Sequence, residues 1–145
     1  MYYNAIDENL LHSTIWNYTA DNTNKYGDGW NDEDLSIFSE GKERAAAGWK
    51  RPYPMATAGI PLFFRWQQKQ GVFIYRFKAD GGITAPTIVY LPADWFGPSS
   101  KVTVTPGAGM TSAPRFEYRY EEQRLLIFND GCDREVEITV KASPG

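Results

Sequence analysis

Cysteine is almost missing from this chain. Cys132 is the single one among 145 residues, so no internal disulfide can brace the fold. Histidine is as scarce: His12 stands alone. With Cys132 far away in a Gly-rich turn there is no Cys–His pair, and no Gly-x-Ser-x-Gly elbow is present, so nucleophilic catalysis has no support. Nowhere is there an apolar run long enough to cross a bilayer as a helix, so no transmembrane segment is expected. The start, MYYNAIDENLL, lacks a basic stretch followed by an apolar one, and no export signal is read there. Nothing in the sequence decides the compartment. Lys and Arg are scattered singly, and the net charge of -3 with a pI near 5.2 excludes the concentrated basic surface that a nucleic-acid partner needs. There is no internal repeat and no low-complexity segment, and no cofactor is expected.

What is abundant is apolar and aromatic surface, at 42% and 15% of residues, enough for one sizeable core in a single soluble domain. Beyond Gly59 the hydrophobic period is two. Leu62, Phe64 and Trp66 alternate with Phe63, Arg65 and Gln67. Phe73, Tyr75 and Phe77 share a face, as do Phe116, Tyr118 and Tyr120, and as do Val136, Ile138 and Val140. With Thr87 to Leu91, Lys101 to Thr105 and Arg124 to Phe128 this makes seven short strands, which predict two antiparallel sheets packed face to face. Turn chemistry agrees at Asp80-Gly81-Gly82, Pro106-Gly107 and Asn129-Asp130-Gly131. The strand aromatics read as the inside of the sandwich rather than as an exposed stacking platform. Trp95 and Phe96, on a predicted single helical turn from Pro92 to Gly97, are the better candidates for exposed aromatics.

The first third has a different texture. Tyr3, Ile6 and Leu10 fall on one face of a helix predicted from about Tyr2 to Leu11, and Ser13 to Tyr18 reads as a strand. From Thr19 to Asp34 the residues are mostly Asp, Asn, Gly and Thr, hence loop. Asp28, Asn31, Asp32, Glu33 and Asp34 crowd oxygen ligands together, but the spacing does not fit an EF-hand. The favoured reading is a structural loop whose acids bond backbone amides and Arg44 or Arg51, with no metal. A turn or short helix is expected around Ala45-Ala46-Ala47.

One long motif joins these parts: Trp16-Asn17-Tyr18, Asp21-Asn22-Thr23, Gly27-Asp28-Gly29-Trp30-Asn31 and Glu33 through Ser39, followed by Arg51-Pro52-Tyr53 and the β-rich remainder. It resembles the C-terminal end of family-five glycoside hydrolases of the endoglycoceramidase and glucosylceramidase type. The resemblance implies a mainly β fold, an antiparallel β-sandwich preceded by a short helix-strand remnant of a TIM barrel. On that basis residues 1–18 would be the last helix and strand of a (β/α)8 barrel, 19–58 a connecting loop and linker, and 59–145 the sandwich. It also implies a catalytic pair of glutamates on earlier barrel strands, the acid/base one preceded by Asn. This chain contains no Asn-Glu dipeptide, so it is expected to support a retaining glycosidase without being catalytic itself.

Carried over residue by residue, Trp16 would line the sugar pocket by stacking on a pyranose, against the plainer alternative of a core tryptophan. Asn17 and Asp21 would hydrogen-bond in or near that pocket. The implied partners are the catalytic barrel, met through Trp30, Leu35, Ile37 and Phe38, and a glycolipid or other glycoside substrate. The competing reading is an independent carbohydrate- or lipid-surface-binding sandwich module, which would need a flat exposed trio of aromatics. A third is a stand-alone structural sandwich.

Overall fold

A computed structural model describes residues 2–20, 22–23, 25, 34–107 and 112–143. In chain order the elements are α1 (Tyr2–Glu8), β1 (Phe38–Ser39), β2 (Lys42–Glu43), α2 (Ala46–Trp49), β3 (Tyr53–Ala56), β4 (Gly59–Gln67), β5 (Val72–Ala79), β6 (Thr87–Tyr90), β7 (Lys101–Pro106), β8 (Phe116–Arg119), β9 (Arg124–Ile127) and β10 (Arg134–Lys141). They fall into two compact units, Met1–Leu11 with Arg51–Gly145, and His12–Lys50.

The first unit holds two four-stranded antiparallel sheets, ordered β4-β5-β10-β7 and β3-β6-β9-β8. All seven predicted strands are present, and β3 adds one, pairing with β6 from within the stretch 19–58. Alternation explains the core. On β5 and β10 the register sets Phe73 against Val140, Tyr75 against Ile138 and Phe77 against Val136, and all six side chains are buried. Val89, Leu125 and Ile127 face them from the other sheet, and each fully buried aliphatic or aromatic side chain contributes about 1.5–3 kcal/mol. Pro54 and Pro61 sit on β3 and β4, each the edge strand of its sheet, where a missing N–H costs no ladder bond. Gly59 opens β4 at φ 144, and a Cβ there would come within 2.0 Å of the Lys78 carbonyl, so only glycine lets the two strands meet.

Two aromatic expectations are corrected. Phe96 is fully buried: Trp95 and Phe96 amides close a turn on the Pro92 carbonyl, and both rings pack on Trp66, at centroid distances of 5.6 and 5.3 Å. A turn that crosses the open end of a sandwich caps its core with whatever apolar groups it carries, so surface position along the chain did not mean exposure. Phe116, expected inside, is 40% exposed because β8 is an edge strand with a neighbour on one side alone. Tyr118, two residues on, packs against the core and donates its hydroxyl to the Phe96 and Gly97 carbonyls.

Helix α1 is shorter than predicted and packs on β4. The Asn9 amide donates to the Ala5 carbonyl, and Leu10 turns to φ 54, letting Leu11 N–H reach Ile6 O at 3.0 Å, a left-handed closure that ends the helix. Asp7 and Glu8 tie the helix down, Asp7 to Arg51 and Glu8 to Arg65. The Arg51 guanidinium also lies over the Tyr3 ring, 4.6 Å from its centroid. Asp7 is only 4% exposed, and burial pushes its carboxyl up to about 6, outweighing the opposing charge and hydrogen bond of Arg51.

A pH dependence follows from that elevation. A raised folded-state value means the folded protein holds the proton more tightly than the unfolded chain. Asp7 therefore contributes stability that is full below about pH 4 and is lost as pH rises through about 6, some 3 kcal/mol in all. Relative to Asp7→Asn, which cannot titrate, the native protein should lose stability across that window in urea melts at stepped pH. A difference that stays flat from pH 4 to 7 would show Asp7 to be unperturbed.

Candidate functional site

The second unit contains the motif that the sequence singled out. Its expected strand, Ser13–Tyr18, joins no ladder among the described residues. A strand is defined by a neighbour, and here Asn17 is held on both sides: Asn17 N–H donates to Leu35 O at 3.3 Å, and Ile37 N–H donates to Asn17 O at 2.9 Å. The peptide between Trp16 and Asn17 is cis. Trp16 is 69% exposed, and Tyr18 is exposed beside Phe38, ring centroids 6.1 Å apart. Asn17 Oδ1 is buried without a hydrogen-bond partner among the described residues. Asp21 lies outside the described residues, as do Asp28, Trp30, Asn31, Asp32 and Glu33.

Asp34 gathers four donors nearby. Its Oδ1 accepts from the Asn22 side-chain amide at 2.9 Å and from Ser36 N–H at 3.2 Å. Its Oδ2 accepts from the Ser39 hydroxyl at 2.7 Å and from Arg44 at 2.6 Å. The Ser39 bond above all, then the Ser36 amide, the Asn22 amide and the Arg44 charge, hold the carboxyl below the usual range. Ser36 passes the order on, its Oγ accepting from Thr19 N–H and Phe38 N–H, each at 3.2 Å. Asn22 O accepts from Glu40 N–H at 3.0 Å. Beyond Ser39, Glu40 and Gly41 both take positive φ, 52 and 72, the tight turn that joins β1 to β2.

Sequence reasoning expected a loop acid to bond backbone amides and Arg44 or Arg51. Asp34 does so with Arg44, while Arg51 belongs to Asp7. It did not isolate Asp34, Ser36 and Ser39 as one cluster. The signal was there: an Asp with Ser two and five residues on is a pattern of side chains that bond their own backbone. Among the described residues no group of three or more His, Cys, Asp or Glu gathers to hold a metal. Nor does any described helix have the length and apolar content to cross a membrane.

Residues 51–141 match the family described as the glycoside hydrolase family 5 C-terminal domain. The chain belongs to that family. Among curated relatives it is 29% identical over 150 residues to a glucosylceramidase of Cryptococcus neoformans var. grubii, covering 86% of this chain and 19% of that protein. It is 24% identical over 159 residues to a glucosylceramidase of Rhizopus delemar, covering 94% of this chain and 23% of that one. The chain thus spans about a fifth of the length of these relatives. Its fold superposes on sterylglucosidase 1 of Cryptococcus neoformans with a TM-score of 0.78 at 27% identity, over 99% of this chain and 24% of that one. Endo-glycoceramidase II from Rhodococcus sp. superposes at 0.66 and 20% identity, over 99% and 28%, a likeness of fold alone. The family 5 C-terminal domain is therefore a mainly β, antiparallel sandwich here as expected, and the matched span opens at Arg51, where Asp7 is bound.

Proposed function

We propose that these residues form the accessory sandwich region of a retaining glycosidase that cleaves O-glycosidic bonds of glycolipids, with residues 1–18 as the end of its catalytic barrel, 19–58 as the connection and 59–145 as the sandwich. The sandwich buttresses the barrel and does not hydrolyse substrate itself. Trp16 forms a wall of the sugar site, and Asn17 and Asp21 hydrogen-bond there. The observation that carries the reading is one chain in which a family 5 C-terminal domain is joined to a segment whose Trp16 ring stands 69% exposed. An indole face is suited to stack on the apolar face of a pyranose. The relatives named glucosylceramidase and sterylglucosidase support the substrate class, a sugar linked to a lipid. Asn17 Oδ1, a buried acceptor without a donor among the described residues, supports a role in contacting a group beyond them. An independent binding module is not favoured, since Phe73, Tyr75 and Phe77 are fully buried and offer no flat platform.

The 145-residue protein should show no turnover of fluorogenic β-glucosides or glycosylceramides. Hydrolysis above a matched control, abolished by replacing an acid within this chain, would overturn the supporting role.

A further inference from the structure

We propose that Asp34 is a positioning residue for the Trp16 wall, one carboxylate whose bonds to Asn22, Ser36, Ser39 and Arg44 set the backbone on which Trp16 is presented. The inference rests on the reading of Trp16 given above and adds the residue that holds the wall in place.

Trp16 is followed at once by the three residues that the 34–39 segment grips. Asn17 is bonded through both its N–H and its carbonyl to Leu35 and Ile37, the neighbours of Ser36, and Thr19 N–H is bonded to Ser36 Oγ. The register of 17–19 is therefore the register of 34–37. Among the described residues the ladder of that second segment is short, β1 and β2 being two residues each. Asp34 adds a constraint to it. Its two oxygens receive four side-chain or backbone donors spread from residue 22 to residue 44, closing a loop over 12 residues at Asn22 and 10 at Arg44. Hydrogen bonds to an ionised acceptor are about twice as strong as neutral ones. An amide does not fit: in place of the carboxylate it presents an N–H2 to either the Ser36 and Asn22 donors or the Ser39 and Arg44 donors, and it leaves Arg44 without its counter-charge. Asp34 is not catalytic, because every bond it makes is to the scaffold.

The test is steady-state hydrolysis of a fluorogenic aryl β-glucoside by the complete enzyme that carries this region, with thermal melts of each variant. A stacking wall that binds ground and transition state alike shows its loss in KM, so Asp34→Asn should raise KM about 5- to 10-fold and leave kcat within about twofold. Trp16→Ala should give the same split. The double variant should be no worse than Trp16→Ala alone, because a residue that acts through another cannot add to its removal. Ser39→Ala takes one donor from the same carboxylate and should raise KM about two- to threefold, which keeps the comparison open if Asp34→Asn does not fold. If Trp16→Ala raises KM while Ser39→Ala and Asp34→Asn do not, or if the effects of Trp16 and Asp34 multiply, the positioning role is overturned and the sugar wall stands. If Trp16→Ala leaves KM unchanged, the wall and the positioning role fall together.

Discussion

Phe77→Ala should destabilise the fold by about 3–5 kcal/mol, measured as a shift in urea midpoint at constant slope. Phe77 is fully buried, stacked on Tyr75 at 5.4 Å and paired across the ladder with Val136 on one side and Pro61 on the other. Its removal leaves a void in the centre of β5 that two neighbouring strands hold open. A small domain has about 5–15 kcal/mol to lose, so this one change takes about a fifth of it or more. Lys78→Ala, one residue on and facing out, should stay within about 0.5 kcal/mol. Similar midpoints for the two variants would mean that the strand is turned over.

The second large effect is at the α1 junction. Arg51→Met should cost about 3 kcal/mol at pH 7.5, because it leaves the Asp7 carboxyl buried without its counter-charge. The loss should shrink as pH falls through about 6, where Asp7 takes up a proton and no longer needs the guanidinium. Asp7→Leu combined with Arg51→Met should recover most of it, since apolar pairs of similar volume replace buried ion pairs with little penalty. A double variant as unstable as Arg51→Met alone would show that Arg51 acts through its contact with Tyr3 instead.

The sandwich was largely legible before any coordinates. Strands put successive side chains on opposite faces, so a buried sheet must write its inner face into every second residue, and β5 and β10 do so without a break. The loop expected from the Asp, Asn, Gly and Thr content of residues 19–34 lies mostly outside the described residues. The family motif, being long and irregular, carried the identity as well. β3 escaped notice because Tyr53-Pro54-Met55-Ala56 is a short edge strand with a proline and a register shift, and three of its four residues are exposed.

Some features are invisible to any local rule. Asp7 and Arg51 are 44 residues apart in sequence, Arg65 and Glu8 are 57 apart, and nothing in either neighbourhood marks them as partners. The exposure of Phe116 and the burial of Phe96 depend on which strands end a sheet and which turn closes the sandwich, not on the residues themselves. The sequence by itself determined the sheet-forming segments, their inner faces and the family. The tertiary structure decided where the charges pair, which aromatics meet water, and that Asp34 is the acid on which Asn22, Ser36, Ser39 and Arg44 converge. The physical reason is range: side-chain period and turn chemistry act over a few residues, whereas burial and ion pairing act between groups that only the folded chain brings together.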